Sequence, residues 1–342
     1  MSGAVELAIR TREARIDAVR VAMHRPRLAP LLAGRSAANA PIWIETLHAI
    51  CRCAQGVAAR AAITAARGIE ADGGADAATP RIDRAVRAEA AAELALAALA
   101  ADVPDRLVAA RRAASEPPAL ARLLERELLG EPIDRWLAIA EERQLERWAD
   151  HADSPLARAC RRRLAGWEPA AAPIARLPAM DARDSFDRWP RIDAAFAAEP
   201  LYFGHPGESG PVARQERRPL IAALARRPLL QRWIARVTEL ALHAIDDPGF
   251  RCGTVSAHSA AGRGRAVVET ARGMLLHDVA LDGDTVREYA IVAPTEWNFH
   301  PDGPIRHWLI GADASTPELV REHARDAAAA LDPCVDCRIS VE

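Results

Sequence analysis

The spacing of apolar and polar positions changes several times along this chain, and each change predicts a different element. Over residues 1–25 the period is two. Val5, Leu7 and Ile9 alternate with polar or small residues, and Ile16, Val19 and Val21 resume after a charged turn, the pattern of a β-hairpin. From 42 to 166 apolar residues fall three and four apart, which predicts helices. The first helical stretch, about 42–67, carries Cys51 and Cys53, and a loop rich in Gly, Ala and Asp follows at 71–80. Residues 81–166 read as several amphipathic helices broken at Pro104, at the Pro117-Pro118 pair and at Pro132. Residues 170–218 are Pro-rich and irregular, and helices resume between Pro219 and Ile245.

After Cys252 the period returns to two. AVVET, MLLHDVAL and TVREYAIVAP read as strands, with a turn at Leu281-Asp282-Gly283-Asp284 between the last two. A last helix covers Pro317–Leu331, and the chain ends on Asp-Pro-Cys-Val-Asp-Cys-Arg-Ile-Ser-Val-Glu. These elements predict an α+β fold, mainly α. The segment 219–342 holds helices, strands and the terminal CxxC.

Composition narrows the function classes. Half of the 342 residues are hydrophobic, enough for a sizeable core, and a net charge of −2 gives no field suited to nucleic acid. All 45 basic residues are Arg, which with so much Ala reads as genome composition. No run approaches the ~20 apolar residues needed to span a bilayer, and the N-terminus lacks a signal-peptide core. A soluble cytoplasmic protein is expected. In that compartment six cysteines point to metal or redox chemistry rather than disulfides.

Four short motifs carry a resemblance. Asp332-Pro333-Cys334-Val335-Asp336-Cys337 resembles the D-P-C-x-x-C signature of nickel–iron hydrogenase large subunits, and Glu45-Thr46-Leu47-His48-Ala49-Ile50-Cys51 resembles their E-R-x-C-G-x-C. Val268-Glu269-Thr270-Ala271-Arg272-Gly273 is similar to V-E-A-P-R-G, and Val292-Ala293-Pro294-Thr295-Glu296-Trp297-Asn298 to V-x-P-[ST]-x-W-N. The four occur in the family's order from Glu45 to Cys337. The resemblance implies a trimmed hydrogenase-large-subunit-like fold forming one domain over 1–342, because the site needs both ends together.

It also implies a metal site. Cys51 and Cys337 match the bridging, iron-binding thiolates, Cys334 a terminal nickel ligand, and His48 stands where the other nickel cysteine belongs. Arg272, Thr295 and Pro294 match the pocket around carbon monoxide and cyanide on iron. Soft thiolates suit low-spin iron, and cyanide needs hydrogen-bond donors. The proton-transfer acid aligns approximately with Ser2, and the histidine after the last cysteine is replaced by Ser340. Iron positions stay while nickel and proton-transfer positions go, a combination that resembles the accessory branch, the HupK/HoxV-type hydrogenase formation proteins.

The expectation is then a non-catalytic scaffold for an Fe(CN)2(CO) unit, with nickel not expected. Its partners would be the apo-hydrogenase large subunit and a small maturation chaperone. Two readings stand beside it. His48, Cys51, Cys334 and Cys337 could form a structural Cys3His zinc site, or the chain could be a degenerate hydrogenase-like enzyme. A redox role for Cys334 and Cys337 lacks the surrounding βαβ pattern. Cys53 lies on a different helical face from Cys51 and reads as structural. Cys160 and Cys252 match no motif.

Overall fold

The N-terminal hairpin forms where the alternation places it. In the computed structural model, which describes residues 3–26, 28–69, 81–172, 174–260 and 262–342, β1 (Ala4–Arg12) and β2 (Arg15–His24) pair antiparallel. Glu13 and Ala14, both at positive φ (51° and 57°), make the two-residue turn whose twist matches the strands.

The helical stretch after it is two helices, α1 (Ala40–Leu47) and α2 (Arg52–Ala66), separated at His48–Cys51. The loop predicted at 71–80 lies outside the described residues. Then come α3 (Arg84–Leu99) and a run of short helices to Leu164. The prolines act there as starters: Pro104 and Pro117 open helices, and Pro132 precedes the helix Ile133–Leu137. Within 170–218 the chain is more ordered than its Pro content predicts. Asp181 and Asp193 cap the short helices Ala182–Arg188 and Ala194–Ala198 by accepting main-chain N–H bonds from Asp184 and Phe196, each at 2.8 Å.

Helix α4 (Pro228–Ala244) is buried along its whole length and packs beside α3 in the largest apolar cluster. Four strands follow: β3 (Thr254–Ala260), β4 (Arg263–Thr270), β5 (Gly273–Asp282) and β6 (Thr285–Val292). They form an antiparallel sheet in chain order, extended past β3 by the pair Arg81–Ile82, and α2 lies across it. Residues 263–280 alternate less than a half-exposed sheet would, because both faces of β4 and β5 are covered. The one-turn helix α5 (Pro294–Asn298) leaves β6, and α6 (Pro317–Leu331) matches the expected last helix.

The final strand, β7 (Asp336–Val341), was not predicted. It pairs parallel with β1, Val5 opposite Cys337 and Ile9 opposite Val341, so the two ends of the chain share one three-stranded sheet. The hairpin and α6 bury a second core on that sheet. No described helix is long and apolar enough to cross a membrane.

Candidate functional site

The four motif segments meet at the ends of their elements. Thr270 pairs with Gly273 across a two-residue turn, so Ala271 and Arg272 form the tip of the β4–β5 hairpin. Gly273 adopts φ +133°, and a Cβ there would fall 2.0 Å from Ser209 Oγ. Only glycine allows that approach. Asn298, at the end of α5, accepts from Ser209 N at 2.9 Å and donates to Arg272 O at 3.1 Å. It thereby ties the two middle motifs together.

At this junction a small cavity, about 30 Å³ and so with room for about one water, is lined by Cys51, Cys334, Arg272, Pro294 and Thr295 together with Arg25, Gln55, Glu89 and Glu93. Cys51 and Cys334 come from opposite ends of the chain. Thr295 Oγ1 lies 3.0 Å from Cys334 Sγ. Arg272 Nε donates to the main-chain oxygen of Asp332 at 3.0 Å, its Nε also lies 3.1 Å from the Asp332 carboxylate, and a terminal nitrogen reaches Glu93 at 3.2 Å. Asp332 sits at φ +53° just past α6, so Arg272 caps that helix as well as walling the cavity.

Cys51 is the N-cap residue of α2, with no side-chain cap of its own. Glu89 of α3 does the capping from outside, accepting from Cys53 N at 2.7 Å and Ala54 N at 3.0 Å. Burial, Cys334 and Glu89 push the Cys51 thiol up to about 12, although Gln55 and Arg25 act the other way. Gln55 donates weakly to Cys51 Sγ at 3.7 Å, and its oxygen pairs with His277 Nε2 at 2.9 Å. His277 Nδ1 lies 2.8 Å from the Tyr289 hydroxyl. Burial, aided by His48, lowers His277 to about 3, so the ring is neutral.

Arg25, just after β2, is another polar residue of the site that the sequence did not single out. Its guanidinium contacts Cys334 Sγ and Glu296 Oε1, the latter at 3.1 Å. Burial opposes its charge, but Glu296, Cys334 and Cys51 outweigh that and hold its pKa above the ordinary guanidinium value. Glu296 is pushed up by burial, against Arg25 and the Ala293 N–H that its other oxygen accepts at 3.1 Å.

The comparisons agree with these motifs. Residues 210–340 match the family model for nickel-dependent hydrogenase. A hydrogenase expression/formation protein HoxV of Cupriavidus necator strain H16 is 32% identical, covering 92% of this chain and 91% of the relative. HupK of Azotobacter vinelandii, also named a hydrogenase expression/formation protein, is 29% identical over 100% of this chain and 99% of its own. The chain belongs to the HupK/HoxV family of hydrogenase expression/formation proteins. In fold it resembles the nickel–iron–selenium hydrogenase of Desulfovibrio vulgaris Hildenborough, with a TM-score of 0.57 at 14% identity over 95% of this chain and 94% of that one. An NAD+-reducing nickel–iron hydrogenase gives 0.53 at 16% identity, over 94% and 93%. The large-subunit fold, α+β and mainly α, is therefore shown.

For a HupK/HoxV protein the cysteine placement departs from the motif alignment in two respects. Cys337 does not line the cavity with Cys51. Strand alternation on β7 sets it toward α6, in a separate shallow cavity with Arg321, Arg325, Pro333 and Ile339, and burial lifts its thiol to about 11. His48 and Cys51 do not share a helical face, because the helix stops at Leu47 and restarts at Arg52. His48 lies against Ile44 O at 2.9 Å and lines a different, larger cavity of about 400 Å³.

Among the described residues no group of three or more His, Cys, Asp or Glu is placed to hold a metal, so the four-residue set expected from the motifs is not assembled. Cys53 is half-buried at the start of α2, and Cys160 and Cys252 are core thiols. Glu89, Glu93 and His277 went unnoticed in the sequence because each acts on a partner at least 30 residues away, and Gln55, although only four residues from Cys51, is fixed by the distant His277. Glu296 could have been found, since it occupies one of the two variable positions of the V-x-P-[ST]-x-W-N motif, between Thr295 and Trp297.

Proposed function

We propose that this HupK/HoxV protein is a non-catalytic scaffold that carries or helps assemble the Fe(CN)2(CO) unit for the apo large subunit of a nickel–iron hydrogenase. The observation that carries the reading is the shared cavity: Cys51 and Cys334 line one space with Arg272, Thr295 and Pro294, while a histidine replaces the remaining nickel cysteine. Two thiols and a threonine hydroxyl form a donor set suited to a soft metal unit with acceptor ligands. Arg272 is committed to Asp332 and Glu93, so it shapes the wall more than it offers free donors. We take Cys51 and Cys334 as the pair that engages the iron unit, with Cys337 outside it.

The cargo has to be delivered and passed on, which requires protein partners. A small maturation chaperone and the apo large subunit are the partners the reading requires. Exposed Ile42, Trp43, Leu47 and Ile50, on α1 and the break that leads to Cys51, offer apolar surface next to the site. A zinc staple is less favoured, because His48 and Cys337, two of its four expected ligands, line cavities other than the one shared by Cys51 and Cys334.

The test is an infrared spectrum of protein purified without oxygen from cells expressing the maturation machinery, with metal analysis of the same sample. Iron-bound carbon monoxide and cyanide bands without nickel are expected. They should disappear in Cys51→Ser and Cys334→Ser and persist in Cys337→Ser. A blank spectrum, or bands indifferent to Cys51 and Cys334, would sink the proposal.

A further inference from the structure

The thiol cavity already contains a cation. Arg25 contacts Cys334 Sγ, lies close enough to Cys51 to act on its charge, and is bonded to Glu296 on its other side. It also lies on the boundary between two spaces, lining both the 30 Å³ thiol cavity and the 400 Å³ cavity beside it. The larger space is lined by Glu296, Asp193 and Glu288 but also by Arg191, Arg263 and Arg287, and the smaller one by Glu89 and Glu93. The carboxylate that matters for Arg25 is therefore Glu296, which it already holds and which faces only the larger space.

Room for one water cannot admit a metal carrying ligands of its own. A group must leave before a metal arrives, and Arg25 is the wall residue with somewhere to go. Moving toward the larger cavity, its guanidinium would keep Glu296 and give up only the sulfur. Arg272, by contrast, is held by Asp332 and Glu93 and would lose a helix cap on moving.

We propose that Arg25 is a displaceable counter-cation of the Cys51–Cys334 site, occupying it in the empty protein and withdrawing into the adjoining cavity when a thiophilic metal unit binds. The inference rests on the reading of these two thiols as the metal-holding pair. Exchange of one cation for another at Cys334 leaves this half-buried sulfur beside a positive charge in either state. It also makes binding reversible, because the guanidinium competes for the position the metal leaves.

Two measurements separate the proposal from the reading beneath it. The first needs no metal: alkylation of Cys334, followed by mass spectrometry, with anionic iodoacetate and neutral iodoacetamide. The ratio of the two rates reports the local potential and cancels the thiolate population. Arg25→Met should lower that ratio several-fold at Cys334 and leave it unchanged at Cys160. No change would overturn the proposal. The second is titration of metal-free protein with Cd2+, each coordinated thiol releasing its proton to the buffer.

Losing a charge-assisted contact at the sulfur should tighten Cd2+ binding about tenfold in Arg25→Met. The gain should survive in Arg25→Met/Glu296→Gln, which leaves no unpaired buried carboxylate to unfold the site or to ligate the metal itself. A gain that vanishes in the double variant, or an affinity unchanged by Arg25→Met, would overturn displacement while leaving the thiol pair intact. Cd2+ binding that is indifferent to Cys51→Ala and Cys334→Ala would instead overturn the thiol pair, and displacement with it.

Discussion

Replacing Gly273 by alanine tests whether the β4–β5 hairpin tip is held as tightly as the site requires. At φ +133° an L-residue is strained by about 1–3 kcal/mol. The new Cβ would also meet Ser209 Cβ at 2.7 Å and Gly210 N at 2.8 Å. The latter is backbone and cannot rotate away, and forced overpacking of this kind adds about 1–3 kcal/mol. Gly273→Ala should therefore cost about 2–6 kcal/mol by these two contributions. Gly283→Ala is the matched control, in the next hairpin at φ +52° with nothing within 4 Å of a Cβ. Its cost should stay near 1 kcal/mol, since left-handed strain is partly offset by a stiffer unfolded chain. Urea unfolding followed by tryptophan fluorescence gives both numbers. Because Ala271 and Arg272 wall the cavity, Gly273→Ala should also speed alkylation of Cys51, and Gly283→Ala should not. A difference below ~1 kcal/mol between the two variants, or equal alkylation, would refute the tight coupling of Arg272 to Ser209.

Two further outcomes follow from buried charge. Arg214 is bonded to Glu239 at 2.7 Å and Glu269 at 2.9 Å and also reaches Ala271 O. Arg214→Met leaves two buried carboxylates and should cost about 3–5 kcal/mol in urea unfolding, with more than ~1 kcal/mol regained in Arg214→Met/Glu239→Gln; a single variant within ~1 kcal/mol of wild type contradicts this. His277, lowered to about 3 by burial, is neutral when folded and titrates near 6.5 when unfolded. Its stabilisation is complete above pH 6.5 and is lost as pH falls toward 3, with a slope of at most ~1.4 kcal/mol per pH unit. Stability measured from pH 7.5 to 4.5 should fall less steeply in His277→Gln than in wild type, and parallel curves would exclude the assignment.

How far the sequence reaches depends on the range of the interactions involved. Helix α6 was readable to the residue because its signals are local: Thr316 caps Leu319 N, and Pro317 opens the first turn. The helix break at His48–Cys51 was not readable, because the carboxylate that caps the second helix belongs to Glu89, more than 30 residues on. Strand β7 had a signal that the motif obscured. Cys337, Ile339 and Val341 alternate with Asp336, Arg338 and Ser340, and that period of two places Cys337 toward α6 and away from Cys51. The motif alignment gave Arg272, Thr295 and Cys334 their common neighbourhood. It gave no hint of Arg25, whose partners Glu296 and Cys334 lie 271 and 309 residues away.

A carrier differs from an enzyme in what its empty state must withstand. A resident metal can satisfy buried thiols permanently, whereas a carrier has to keep the same thiols buried and unaggregated before loading and after release. In this chain each sulfur has a substitute neighbour: Arg25 and Thr295 at Cys334, and the Gln55 amide at Cys51. Neither Arg25 nor Gln55 is bonded through its only anchor. Arg25 retains Glu296, and Gln55 retains His277, when the sulfur contact is given up. Under the proposed carrier role, a site built this way would lose little when cargo arrives and regain it when cargo leaves. The cavity walls behave differently, since Arg272 is fixed through Asp332 and Glu93 and the hairpin tip through Asn298 and Ser209. Rigid walls with exchangeable partners at the sulfurs are what transient custody of a metal unit requires.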